Sequence, residues 1–154
     1  MMLSKSLLLG ALLAGVSYVP GSVACDCKPF DFCNVLSDDA NILLRGTTLS
    51  REEGDSEDDD VKYVVEVVKV YNGSPILNKR NPPTLNFLTA GSSAACGVYL
   101  ELDEDYLVHV YFDDDEGVYR SKNCGLTREW GRLTKKQKRT LRTGYGCDDG
   151  DDSY

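Results

Sequence analysis

Six cysteines, Cys25, Cys27, Cys33, Cys96, Cys124 and Cys147, constrain this chain more than any other feature, and none of them precedes residue 25. What lies before them reads as an export signal. Lys5 gives an early positive charge, and an apolar run follows from Leu7 to Val16. That run is shorter than the roughly 20 residues a bilayer span requires. Pro20 and Gly21 then break it, and Ser22-Val23-Ala24 has the small-x-small pattern cut by signal peptidase. Residues 1–24 are therefore expected to be a signal peptide, the protein to be secreted, and Cys25 to become the mature N-terminus. An even cysteine count in an oxidising compartment implies three disulfides, while the count alone leaves every pairing open. Zinc binding by Cys25-x-Cys27 is the competing use, disfavoured by the tight spacing and by the compartment.

Removing residues 1–24 leaves 130 residues, the size of one ordinary domain, with a side-chain charge of −9. The expected division is a domain over 25–147 and an acidic tail over 148–154. So negative a chain is a poor partner for nucleic acid or an anionic membrane. Acidic runs at 52–60 and 113–116 read as solvated loops; neither has the ligand spacing and central glycine of an EF-hand. Against them stands a basic stretch from Arg128 to Arg142. His109 is the one histidine, which leaves triad or two-histidine metal chemistry without its parts. No enzyme activity and no cofactor are expected, and a monomer is. Asn72-Gly73-Ser74 is a glycosylation sequon, weakened by Pro75.

β-branched and aromatic residues crowd the middle of the chain, so strands are expected at 42–49, 61–71, 84–90, 97–100, 106–112 and 118–123. One helix stands out near the end. Thr134 and Gln137 fit a capping box, Lys135 to Thr143 follow, and Gly144 supplies a stop. Trp130, Leu133, Gln137 and Leu141 fall at near-helical spacing, which makes Trp130 a core anchor. Short antiparallel strands with late helical cover predict a mainly β fold, a five-stranded closed barrel of the oligonucleotide/oligosaccharide-binding type.

Several motifs carry a family resemblance. Cys25-Asp26-Cys27-Lys28-Pro29, Phe32-Cys33-Asn34, Cys96-Gly97-Val98, and the run from Glu129-Trp130-Gly131-Arg132-Leu133-Thr134 to Gly146-Cys147 occur in this order. Together they resemble the tissue inhibitors of metalloproteinases, specifically their N-terminal, netrin-like inhibitory domain. The resemblance implies the pairs Cys25–Cys96, Cys27–Cys124 and Cys33–Cys147. It also implies a zinc metalloendopeptidase as partner, whose catalytic zinc is chelated by the amine and carbonyl of Cys25. Asp26 would face the protease's specificity pocket, and Cys27, Lys28, Pro29, Cys96, Gly97 and Val98 would form the reactive ridge. The only metal involved would be the target's zinc. The family usually has Thr or Ser where this chain has Asp26, and its members carry a second domain. The alternative is a non-inhibitory netrin-like module that binds protein through another surface, such as the basic stretch.

Overall fold

The computed structural model describes residue 25 and residues 32–56, 59–78, 81–144 and 147. The chain opens with helix α1 (Phe32–Ser37) and continues through β1 (Asn41–Glu52), β2 (Val61–Asn72), β3 (Thr84–Thr89), β4 (Asp105–Asp113), β5 (Val118–Arg120) and β6 (Arg128–Glu129). A 3-10 turn (Trp130–Arg132) then leads into helix α2 (Lys135–Thr143).

The strands close on themselves. β1 pairs antiparallel with β2 on one side and with β4 on the other, β2 pairs with β3, and β4 pairs with β5. The ring is completed by a parallel contact between β3 and β5 at Leu88 and Arg120. The result is a mainly β, five-stranded closed barrel with a flanking helix, the oligonucleotide/oligosaccharide-binding architecture that the strand pattern predicts and the netrin-like fold that the resemblance implies.

Closure makes β1 a strand buried on both faces. Ile42 and Leu44 point into the barrel with Tyr63, Val65, Leu85, Phe87, Val108 and Val110. Tyr63 and Phe87 stack there, their ring centroids 5.5 Å apart. Leu43, between the two inward residues, points outward with Leu107 of β4. Phe32 and Val35 of α1, Leu126, Leu133 and Leu141 of α2 cover that outer pair in a second apolar cluster. At about 25 cal/mol per Å² of apolar surface removed from water, this second layer is what holds the helices down.

The α2 reading holds in detail. Thr134 accepts a hydrogen bond from the Gln137 amide, the Gln137 side chain returns to the Thr134 amide, and Gly144 closes the helix at φ 64°. α1 has no counterpart in the expected elements. One other reading is corrected: residues 97–100 are not a strand, because Gly97 N donates to Ser92 O within its own turn and the amides that follow meet side-chain hydroxyls. Val98 N donates to Thr89 Oγ1, Leu100 N to the Tyr63 hydroxyl and Glu101 N to the Tyr106 hydroxyl. Trp130 lies in the 3-10 turn ahead of α2, half-buried against the outer cluster, in keeping with its reading as a core anchor.

Asn72 has a different part from the one its sequon suggests. Its side-chain amide nitrogen faces the carbonyls of Val35, Asp38 and Asn41 at 2.8–2.9 Å, tying the end of α1 to the start of β1. A glycan on that nitrogen would break this junction. Among the described residues, no helix is long and apolar enough to cross a membrane.

Candidate functional site

Cys25 is bonded to Cys96, with their Cα atoms 5.5 Å apart, and Cys33 is bonded to Cys147 at 5.2 Å. These two bonds span 71 and 114 residues and match the implied pairing. In the chain-entropy picture each loop closure is worth about 4–5 kcal/mol. The third implied pair includes Cys27, which lies outside the described residues; Cys124 is itself disulfide-bonded. The sulfurs of Cys25, Cys96 and Cys124 lie within 4.8 Å of one another. All three are oxidised, so this cluster has no thiolate to offer a metal.

Cys96 ends a tight turn. Ala95 N and Gly97 N both donate to Ser92 O, and Cys96 N donates to Ser93 O. Cys96 itself adopts a positive φ of 68°. Its carbonyl accepts from Asn123 N at 2.8 Å, which ties the turn to the segment carrying Cys124. Gly97 is required by close approach: a Cβ there would stand 2.0 Å from Ala90 O and 2.8 Å from Ser92 O. The turn's tip, Ser93-Ala94-Ala95, is exposed, and Cys25 Sγ lies 3.5 Å from Ser93 O.

Of the expected ridge residues, Cys25, Cys96 and Gly97 come together here. Val98 does not fit an exposed ridge. It is 8% exposed and belongs to the barrel core, because the hydrogen bond to Thr89 turns its side chain inward. The surface beside Cys25 is instead supplied by Ser93, Ala94 and Ala95, which the sequence reading passed over. The signal available was position: they stand immediately before the cysteine that Cys25 joins. Asp26, Cys27, Lys28 and Pro29 lie outside the described residues.

Arg120 and Ser121 line a cavity together with Ala95 and Cys96 of the turn. Arg120 on β5 donates to Asp60 and Glu116 and pairs with Asp113, which joins the two acidic loops at one guanidinium. These carboxylates push the Arg120 pKa up, the Asp60 and Glu116 hydrogen bonds most. Next to it, Ser121 N donates to Leu88 O and Ser121 Oγ to His109 O. His109 on β4 is held by Asn41 Oδ1 at 2.9 Å, and burial lowers its pKa, which fits a structural role for the imidazole.

Residues 23–149 match the family model described as tissue inhibitor of metalloproteinase, a span that takes in every described residue. A search of curated proteins gave no match. With the closed barrel, the Cys25–Cys96 and Cys33–Cys147 bonds and the family match in agreement, the chain belongs to the tissue inhibitor of metalloproteinase family.

Proposed function

We propose that the mature protein is secreted and inhibits zinc metalloendopeptidases through the free N-terminus created by cleavage after Ala24. A catalytic zinc holds three protein ligands and a water. The amine and carbonyl of one terminal residue can replace that water as a five-membered chelate. An internal residue cannot, because an amide nitrogen is a poor ligand. The observation that carries this reading is the fixing of Cys25 by Cys96 beside an exposed turn, in a chain of this family. A Cys27–Cys124 bond would hold the segment from its other side. Such pre-organisation reduces the ordering cost of binding.

Asp26 sets the limit on which proteases are inhibited. A carboxylate entering an apolar pocket beside a general-base glutamate meets desolvation and like-charge repulsion. The fitting target has a polar or basic pocket.

One added alanine before Cys25 tests the chelate. It converts the amine to an amide and puts bulk in front of the metal, while leaving barrel and disulfides unchanged. Inhibition should fall at least a thousandfold, about 4 kcal/mol, with the melting temperature unaltered. An extended protein within tenfold of the natural one would show that binding does not pass through Cys25.

A further inference from the structure

Three sulfurs meet beside the exposed turn. Those of Cys25 and Cys96 are bonded to each other, and Cys124 Sγ lies within 4.8 Å of both. Cys124 is itself disulfide-bonded, and the family pairing gives it Cys27 as partner. Two disulfides then sit side by side, while the sulfurs of Cys33 and Cys147 stand outside this group. Backbone hydrogen bonds hold the cluster together. Cys96 O accepts from Asn123 N at 2.8 Å, and Gly125 N donates to Lys122 O across the turn that carries Cys124. Cys25, Cys96 and Cys124 are all half-buried, so none is sealed inside the barrel.

We propose that this cluster is a thiol-exchange site, where a low-molecular-weight thiol converts the protein to a disulfide isomer that frees Cys25 from its turn. The inference rests on the Cys27–Cys124 pair and the Cys25 terminus proposed above. A thiolate RS⁻ attacks Cys27 Sγ; the Cys27–Cys124 bond breaks, an RS–Cys27 bond forms and Cys124 leaves as thiolate. Cys124 attacks Cys96 Sγ, forming Cys96–Cys124 and expelling Cys25 as thiolate. Cys25 then attacks Cys27 Sγ, forming Cys25–Cys27 and returning RS⁻. Two disulfides are present before and after, and no oxidant is consumed. Such exchange proceeds by attack of a thiolate on a neighbouring disulfide sulfur, and holding the reactants together removes most of the cost of bringing them into contact. Attack falls on Cys96 and not on Cys25 for two reasons. Residues 96 and 123 are already hydrogen-bonded, so a Cys96–Cys124 bond asks little of the backbone. Cys25 is the better leaving group, because the ammonium of the mature terminus sits on the same residue. Once protonated, its thiol has Ser93 O 3.5 Å away as an acceptor.

The mature protein beginning at Cys25 should be incubated without oxygen with a substoichiometric amount of reduced glutathione. It is then alkylated and digested unreduced with chymotrypsin, which cuts after Phe30 and so separates Cys25 and Cys27 from Cys33. Mass spectrometry should find the Cys96 peptide joined to the Cys124 peptide and an internal disulfide in the Cys25 peptide. Cys33–Cys147 should be intact and the thiol count unchanged. The purified isomer should inhibit roughly a hundredfold less, because its terminal residue has lost its position. Cys27→Ser isolates the central step, since it leaves Cys124 as a thiol. With a melting curve that shows it folded, this variant should carry a Cys96–Cys124 bond and an alkylated Cys25 with no thiol added. A folded variant with Cys25–Cys96 retained and Cys124 alkylated would overturn the proposal. So would native pairs that persist in glutathione, or products that draw in Cys33 or Cys147, which would mark general scrambling. The map reads bonds and not activity, so it decides the exchange whether or not the native form inhibits a protease.

Discussion

Replacing Gly97 with alanine is the sharpest test of how the turn that holds Cys25 is built. The new Cβ would stand 2.0 Å from Ala90 O, 2.8 Å from Ser92 O and 3.0 Å from Ala90 C. All three are backbone atoms, so no side chain can rotate away. Non-bonded carbon and oxygen settle no closer than about 3.3 Å, and the 90–96 turn must therefore shift by at least about 1 Å. It cannot do so freely. Val98 N is held by Thr89 Oγ1 and Cys96 O by Asn123 N, while Cys96 is bonded to Cys25. Overpacking of this kind costs about 1–3 kcal/mol, and two backbone clashes place G97A at the upper end. A loss of about 3 kcal/mol lowers the melting temperature by on the order of 10 °C in a domain of this size. Because Cys25 rides on the same turn, inhibition should weaken as well, by roughly a hundredfold for a 1 Å misplacement. Calorimetry and an inhibition titration measure the two effects, with G131A as control, since a Cβ at Gly131 meets nothing within 4 Å. A G97A protein that melted with G131A and inhibited normally would refute the close-approach argument.

Asn72→Ala should destabilise by about 2–3 kcal/mol, because it leaves the carbonyls of Val35, Asp38 and Asn41 without their shared donor, and chemical denaturation would measure it. Mass spectrometry of protein from a glycosylating host should find Asn72 bare. His109 is neutral in both folded and unfolded chains above pH about 6.5, and its folded pKa is lowered by burial, so below that pH the unfolded chain takes up its proton first. Stability should therefore drop as pH falls from about 6.5 towards the lowered folded value, and His109→Gln should flatten the melting temperature across that window. Asp26→Thr should tighten inhibition of a protease with an apolar specificity pocket by tenfold or more, read as Ki; an unchanged or weaker Ki would remove the desolvation argument.

Local chemistry was the part of this fold most legible in the sequence. The capping box of Thr134 and Gln137 and the stop at Gly144 fix α2 to the residue, since each acts within four positions of its partner. The long strands were legible from their β-branched content, with ends shifted by a residue or more. The closing pair β1–β4 left no local mark, because Leu43 meets His109 only through chain reversal in three dimensions. α1 is six residues long and is held by Asn72 and the outer cluster, so no periodic signal announces it. At the proposed inhibitory edge, the cysteine framework pointed to Cys25 and Cys96. Val98 was misplaced because the alternation that decides its direction is set by a hydrogen bond to Thr89, a residue of another element.

The two described disulfides also determine what a single peptide-bond cut can do to this molecule. Any break between residues 25 and 96 leaves its two pieces joined by Cys25–Cys96, and any break between 33 and 147 leaves them joined by Cys33–Cys147. The two spans overlap and cover the chain from Cys25 to Cys147 without a gap. The exposed acidic stretch around Glu53, Gly54 and Asp55, an inviting place for a protease to cut, lies inside both. One nick there would leave a single covalent molecule, visible as two bands only after reduction, with the barrel strands still tethered in place. For the protease inhibitor proposed above, such linkage would keep both halves of the molecule together after a cut.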